Sequence, residues 1–356
     1  MNLLDTLGQT FETAFGRHSG AWPPPRLSLA LQGGGSFGAF TWGVLDCLLE
    51  SGEVDFDTVS GTSAGAFNAV LLADGLAAGG REAAREKLAR FWERLSRTAS
   101  FGPFGATAHF APGGAAGTFS LFTRLLSPYQ FNPLDVNPLR MLLNEEVDFE
   151  RLKYASPVRL LIAATRVADG RAHIFSGSEV NAEAVLASAC LPLYHHAVTI
   201  DNIAYWDGGY SANPPLLDLV SASEAADLLI VRITPLLSAE TPTSSREILR
   251  RLDQITFNAS LQTELETLAR HIDRSQQLSG LLSSEGRKLR RLAIHHIVAE
   301  ETFDGLAEAN ATNLDWAFLK TLRDHGRAAA TAWLGGKDAA EAAPRTVAPL
   351  KASFAP

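Results

Sequence analysis

A chain of 356 residues with 46% hydrophobic and 20% charged side chains has the balance of a globular protein, and its length suits one large α/β domain or two small ones. A formal net charge of −8 and a pI near 5.6 argue against a nucleic-acid-binding surface, which would need a basic patch, and supply no long-range attraction to anionic membranes. The two cysteines, Cys47 and Cys190, lie within apolar segments; they exclude a disulfide framework and read as buried thiols of a reducing compartment.

At the start of the chain Leu3, Leu7, Phe11 and Phe15 recur at every fourth position, which predicts an amphipathic helix over residues 3–16. Asp5 and Glu12 favour packing of that helix on the domain over a place on a lipid surface, where Lys or Arg is the usual flank. No basic leader with a continuous apolar core is read, and no run approaches the ~18 apolar residues of a membrane span, so cytoplasmic is the default location. Pro23-Pro24-Pro25 predicts a stiff spacer before the domain.

Leu27 to Leu31 reads as a short apolar strand that runs into Gly33-Gly34-Gly35-Ser36-Phe37-Gly38 and then a helical pattern to Leu49, with Gly52 as its stop. A second strand, Phe56 to Ser60, runs into Gly61-Thr62-Ser63-Ala64-Gly65 and a helix from Phe67 to Leu76 that ends at Gly79-Gly80. Arg81 to Ser96 predicts a surface helix docked along one edge. Residues 100–135 break the rhythm, with six phenylalanines among glycines and prolines; a lid or binding wall and an ordinary loop pinned by its aromatics both fit. Short helices follow over 137–143 and 148–153. A hairpin is predicted from Val158 to Phe175, a helix from Asn181 to Cys190, and a second hairpin from Val198 to Trp206 with its turn at Asp201-Asn202. A helix after Pro214-Pro215, a buried strand over Asp227 to Ile233, a long helix over Ser245 to Leu281, a strand over Arg291 to Ala299 and a helix over Leu314 to Leu334 complete the order. In the long helix Ile248, Leu252, Ile255, Leu261, Leu265, Leu268 and Ile272 are expected mostly on one face. The alternation of strands and helices predicts a three-layer α/β/α fold with a mainly parallel central sheet. The expected organisation is a lead-in over 1–25, a core over 26–235, a C-terminal helical extension with one strand over 236–334 and a loose tail over 335–356.

The chemistry concentrates in two adjacent turns. Gly61-Thr62-Ser63-Ala64-Gly65 fits the G-x-S-x-G elbow, where a sharp strand-to-helix turn lifts a serine hydroxyl clear of the sheet and Gly61 and Gly65 remove the Cβ atoms that would clash. Ser63 is the candidate nucleophile. Around Gly34, Gly35 and Gly38 the backbone N–H groups can converge at a helix N-terminus, which suits the oxyanion formed when a serine attacks an ester. Asp207, at the end of an apolar run and followed by Gly208-Gly209, is a candidate base if its surroundings raise its pKa.

These three motifs in this order resemble the patatin-like phospholipase family, over roughly residues 27–235. The resemblance implies Ser63 as nucleophile and Asp207 as its partner. It implies the turn with Gly33, Gly34, Gly35 and Gly38 as oxyanion hole, to which Ala64 adds its N–H. A Ser-Asp dyad that cleaves acyl lipid esters without a metal or organic cofactor, with transient contact to a membrane or lipid aggregate, is the expected activity. Many members carry Arg or Lys in the Gly-rich turn where this chain has Ser36 and Phe37, which leans toward less charged head groups.

Other readings remain open on sequence. Asp201 rivals Asp207, although Asp-Asn between two strand halves is turn chemistry. His271, His295 and His296 are formally available for a Ser-His-Asp triad, and His195-His196 for lining a site. Gly33 to Gly38 also satisfies G-x-G-x-x-G, with Asp55 or Asp57 downstream for a dinucleotide ribose; that reading leaves the Ser63 turn without a task. A non-catalytic lipid-binding scaffold is the third. No metal-ligand spacing is present.

Overall fold

The structure, a computed structural model, describes residues 22–101, 127–236, 241–277, 283–299 and 311–336. The helix expected over 3–16, residues 102–126 of the segment 100–135, and the tail after 336 lie outside the described residues. Strand β1 (Arg26–Leu31) leads through a 3-10 turn (Gly35–Phe37) into α1 (Gly38–Ser51), which ends at Gly52 with a left-handed φ of 70°. Strand β2 (Asp55–Gly61) leads into α2 (Ala64–Phe101), whose Gly79 and Gly80 have non-helical backbone angles, so that two helices follow one another across a kink at the predicted Gly pair.

Three short helices come next: α3 (Pro128–Phe131), α4 (Pro138–Glu146) and α5 (Phe149–Ala155). Strands β3 (Arg159–Arg166) and β4 (Ala172–Ser176) form the first hairpin, and α6 (Ala182–Ser188) starts at Asn181, whose side chain caps it by accepting from the Ala184 N–H. The second hairpin joins β5 (Val198–Ile200) to β6 (Ile203–Asp207) through Asp201 and Asn202, both with positive φ (50° and 63°). That pair of left-handed residues is what a two-residue hairpin turn demands, so Asp201 serves the turn. Then follow α7 (Leu216–Ala222), β7 (Asp227–Arg232), α8 (Ser245–Gln277), α9 (Ser284–Arg291), β8 (Ala293–Val298) and α10 (Trp316–Leu334).

The eight strands form one sheet in the order β5-β6-β3-β2-β1-β7-β8, with β4 also on β3. The pairs β1–β2, β1–β7, β2–β3 and β7–β8 are parallel, whereas β3–β4, β3–β6 and β5–β6 are antiparallel. The sheet is thus mixed: its parallel part is flanked on one side by hairpins that fold back on themselves. Side chains alternate between two apolar layers. Leu27, Leu29 and Leu31 of β1 with Leu229 and Val231 of β7 pack against α1, α2, α6 and α10. Ala30, Leu228 and Ile230 face the other way, onto Leu216 and Leu219 of α7 and Leu261, Leu265, Leu268 and Ile272 of α8. This is a three-layer α/β/α arrangement.

Two expectations change. In α8 only the C-terminal half of the apolar set is buried; Ile248, Leu252 and Ile255 are exposed, because at about 100° per residue they lie roughly 140° around the helix from the buried set. And Arg291 ends a helix rather than opening a strand. That helix escapes the apolar pattern because Ser284 to Arg291 is nearly all polar; its signals are the Ser283 side chain, which accepts from Gly286 N–H, and basic residues in the last turn.

Candidate active site

Leu31 and Gly61 pair at the carboxyl ends of neighbouring parallel strands β1 and β2, the edge at which α/β sheets present their ligand-binding turns. Ser63 stands between β2 and α2 with a φ of 53°, an unfavourable left-handed conformation for a residue with a side chain. The surroundings enforce it. Its N–H donates to Ser188 Oγ at 2.9 Å, and the neighbouring Thr62 Oγ1 donates to the Ala212 carbonyl at 2.7 Å. A Cβ on Gly65 would lie 2.1 Å from the Leu31 carbonyl oxygen, so β1 crosses the elbow too closely for any side chain there.

The Gly-rich turn presses against this elbow: a Cβ on Gly33 would lie 2.8 Å from Ser63 Cβ. Not all of its amides are open. Gly33 N–H donates to Asn213 Oδ1 at 2.7 Å, and Gly38 N–H donates back to the Gly35 and Ser36 carbonyls. Ser36 N–H donates to the Ala311 carbonyl at 2.8 Å. Among the described residues, the N–H groups of Gly34, Gly35 and Ala64 have no acceptor. Of the five expected donors, these three are therefore the ones available to a ligand.

Asp207 ends β6, opposite Ala164 of β3, and is wholly buried. Its N–H donates to the Cys190 carbonyl at 2.8 Å, its carbonyl accepts from Thr165 Oγ1 at 2.8 Å, and its Oδ1 accepts from Gly209 N–H at 2.7 Å. Gly208 and Gly209 open the 3-10 turn that follows. Burial pushes the carboxyl pKa up to about 7, opposed by the Gly209 N–H and by the Ser63 hydroxyl. The hydroxyl is thus close enough to act on the carboxyl, although Asp207 Oδ2 has no partner of hydrogen-bonding geometry. The two groups are thus adjacent, with no hydrogen bond formed between them in this arrangement.

No histidine is among the described partners of Ser63 or Asp207. His295 Nε2 meets Asp227 Oδ1 at 2.8 Å, packed between Trp22 and Trp333. His196 Nε2 lies 3.1 Å from the Pro128 carbonyl with its ring on Tyr129, and His195 is held below its ordinary pKa chiefly by burial. Asp55 and Asp57 lie at the start of β2, away from the Gly-rich turn; Asp57 accepts from Ser223 Oγ and Glu224 N–H and pairs with Arg26, which leaves a dinucleotide ribose no acid there. A cavity of about 250 Å³ opens beside the Asp207 turn, between Thr165, Val167, Pro192, Trp206 and Tyr210. A larger one of about 360 Å³, bordered by Arg26, Asp57 and Arg159, lies at the far end of the strands from Ser63. Among the described residues no group of three acidic, Cys or His side chains is placed to hold a metal, and no helix is long and apolar enough to cross a membrane.

Asn213, Ser188 and Thr165, which tie these segments together, carry no motif that singles them out in the sequence, and Thr62 holds only a variable position of the Ser63 elbow. Their partners are distant in the chain.

The family model for patatin-like phospholipase matches residues 29–220. The uncharacterized protein YjjU of Escherichia coli (strain K12) is 24% identical over 274 residues, which cover 76% of this chain and 69% of that protein. Among solved structures, VipD from Legionella pneumophila aligns with a TM-score of 0.42 and 15% identity over 88% of this chain and 67% of its own. ExoU, in its complex with SpcU from the type III secretion system of Pseudomonas aeruginosa, aligns at 0.36 and 16% identity over 87% and 75%.

Proposed function

Because this chain belongs to the patatin-like phospholipase family, we propose that it hydrolyses carboxylic esters of acyl lipids, with Ser63 as nucleophile and Asp207 as its base. The observation that carries the reading is the pairing of a serine in the left-handed elbow with a wholly buried carboxyl whose pKa is lifted to about 7 and which feels the Ser63 hydroxyl. A carboxylate with that pKa is half ionised near neutral pH and is a far better proton acceptor than an ordinary aspartate.

In the proposed sequence Ser63 Oγ attacks the ester carbonyl carbon as its proton passes to Asp207. The oxyanion so formed takes hydrogen bonds from the N–H groups of Gly34, Gly35 and Ala64. Collapse breaks the bond to the leaving oxygen, which takes the proton from Asp207 and departs as the alcohol. Water then gives a proton to Asp207 and attacks the acyl-serine; collapse of the second oxyanion returns the proton to Ser63 Oγ and frees the fatty acid. The cavity beside Asp207 offers apolar walls for part of the substrate, and uncharged Ser36 and Phe37 in the turn favour lipids with less charged head groups.

Fluorophosphonate labelling with intact mass and peptide mapping tests the reading. One adduct on Ser63 is expected, absent in Ser63→Ala and formed slowly in Asp207→Asn. Turnover of p-nitrophenyl esters should drop at least about a thousandfold in Ser63→Ala; parent-rate turnover in that variant would falsify the mechanism.

A further inference from the structure

Gly33 is held on both of its polar groups. Its N–H donates to Asn213 Oδ1 at 2.7 Å, and its carbonyl accepts two long hydrogen bonds, from Thr234 Oγ1 at 3.3 Å and from Asn213 Nδ2 at 3.4 Å. The Gly33–Gly34 peptide is trans, and in a trans peptide the C=O and the following N–H point in opposite directions. Whatever fixes the Gly33 carbonyl therefore fixes the direction of the Gly34 N–H. With both donors on the carbonyl side, that N–H is turned away from Asn213 and Thr234, and among the described residues it meets no acceptor.

Thr234 is itself held rigidly. It follows β7, whose Val231 pairs with Leu31 of β1, and the Gln32 side chain extends that ladder: its Oε1 accepts from both Ile233 N–H and Thr234 N–H, at 2.8 and 2.9 Å. Gln32 Nε2 donates in turn to Asn258 Oδ1 of α8 at 2.8 Å. Gln32, Asn213, Thr234 and Asn258 are all buried, where hydrogen bonds are stronger than in water. Residue 234 also lies outside the span matched by the family model.

We propose that Thr234, seconded by Asn213, is a positioning residue for ester hydrolysis: by holding the Gly33 carbonyl, its hydroxyl aims the Gly34 N–H at the oxygen of the reacting carbonyl. The inference rests on the Ser63–Asp207 reading. It predicts an effect confined to the transition state, because the substrate's carbonyl oxygen carries little charge until Ser63 attacks.

Thr234→Val removes the hydroxyl at nearly constant volume, and Thr234→Ser keeps it. On a p-nitrophenyl ester, Thr234→Val should lower kcat about tenfold to a hundredfold with KM unchanged, and Thr234→Ser should stay within about twofold of the parent. An alkyl trifluoromethyl ketone, which forms a tetrahedral oxyanion on an active serine, should bind Thr234→Val more weakly in proportion to the fall in kcat/KM. The rising limb of the pH–rate profile should not move, since Asp207 is untouched. Parent kcat in Thr234→Val overturns the proposal; so does an equal fall in both variants accompanied by a lower melting temperature, the mark of a merely structural role. Full turnover in Ser63→Ala instead removes the underlying reading, whatever Thr234 does.

Discussion

With Asp207 as the proposed base, activity and stability should depend on pH in opposite directions. Its carboxyl must be ionised to take the Ser63 proton, so kcat/KM should rise with pH through a midpoint near the pKa of about 7 that burial imposes; a flat profile from pH ~5 to ~8 would count against Asp207 as the base. For stability the sign reverses. A carboxyl whose pKa is higher folded than unfolded keeps a proton that the unfolded chain releases, so its contribution is complete below about pH 4 and is lost as pH rises through about 7. Asp207→Asn, uncharged throughout, should therefore be more stable than the parent above about pH 8, by up to about 4 kcal/mol, with the gap closing toward about pH 4; urea unfolding across that range measures it. Ser188→Ala leaves the buried Ser63 N–H without its acceptor and should cost about 1–3 kcal/mol, also read by urea unfolding. The proposed pair, Ser63 and Asp207, can be picked out in the sequence because each sits inside a local turn signature. Ser188, Asn213 and Thr234 are not, since their bonds reach across 125, 180 and 201 residues and a lone polar residue gives no sign of so distant a partner.

The long helix α8 shows how far an element can be read from periodicity. Its apolar positions all recur at helical spacing, yet they belong to two faces, and only the fold decides which one meets the sheet. Leu261, Leu265, Leu268 and Ile272 complete the second apolar layer against Ala30, Leu228 and Ile230. The N-terminal half instead docks through Phe257, whose ring lies against Gly209 and 5.3 Å from that of Tyr210, and through Asn258. A helix that follows β7 and whose own residues brace both the Gly33 and the Asp207 turns is thus part of the site's frame. Leu265, 5% exposed, and Leu252, 53% exposed, should behave differently when truncated. Leu265→Ala is expected to cost about 2–5 kcal/mol by opening a cavity, whereas Leu252→Ala should stay within about 0.5 kcal/mol; the shift in urea midpoint compares them directly. Equal losses would mean that the first half of α8 is covered.

At the scale of the whole molecule the site is assembled by topology. Two parallel strands deliver the Gly-rich and Ser63 turns side by side, and an antiparallel strand returns along β3 to bring Asp207 to the same edge. The strand-turn-helix repeats make the first part readable in sequence. The pairing of β6 with β3 is not, because a hairpin signature names its own partner strand but not the neighbour it docks on. Under the proposed function, the whole chain's charge would also set how the protein meets a lipid aggregate. With a net charge of −8 it is repelled by an anionic surface and indifferent to a zwitterionic one, and that long-range term is screened within about 10 Å at ~0.1 M salt. Hydrolysis of one neutral ester carried in anionic mixed micelles should therefore be slower at low ionic strength than in zwitterionic micelles, and the two rates should converge as salt is raised toward about 0.5 M. Faster turnover on the anionic micelles at low salt would require a local cationic patch strong enough to outweigh the net charge. The same rates measured on a water-soluble short-chain ester should not respond to micelle charge at all, which separates surface attraction from chemistry at Ser63.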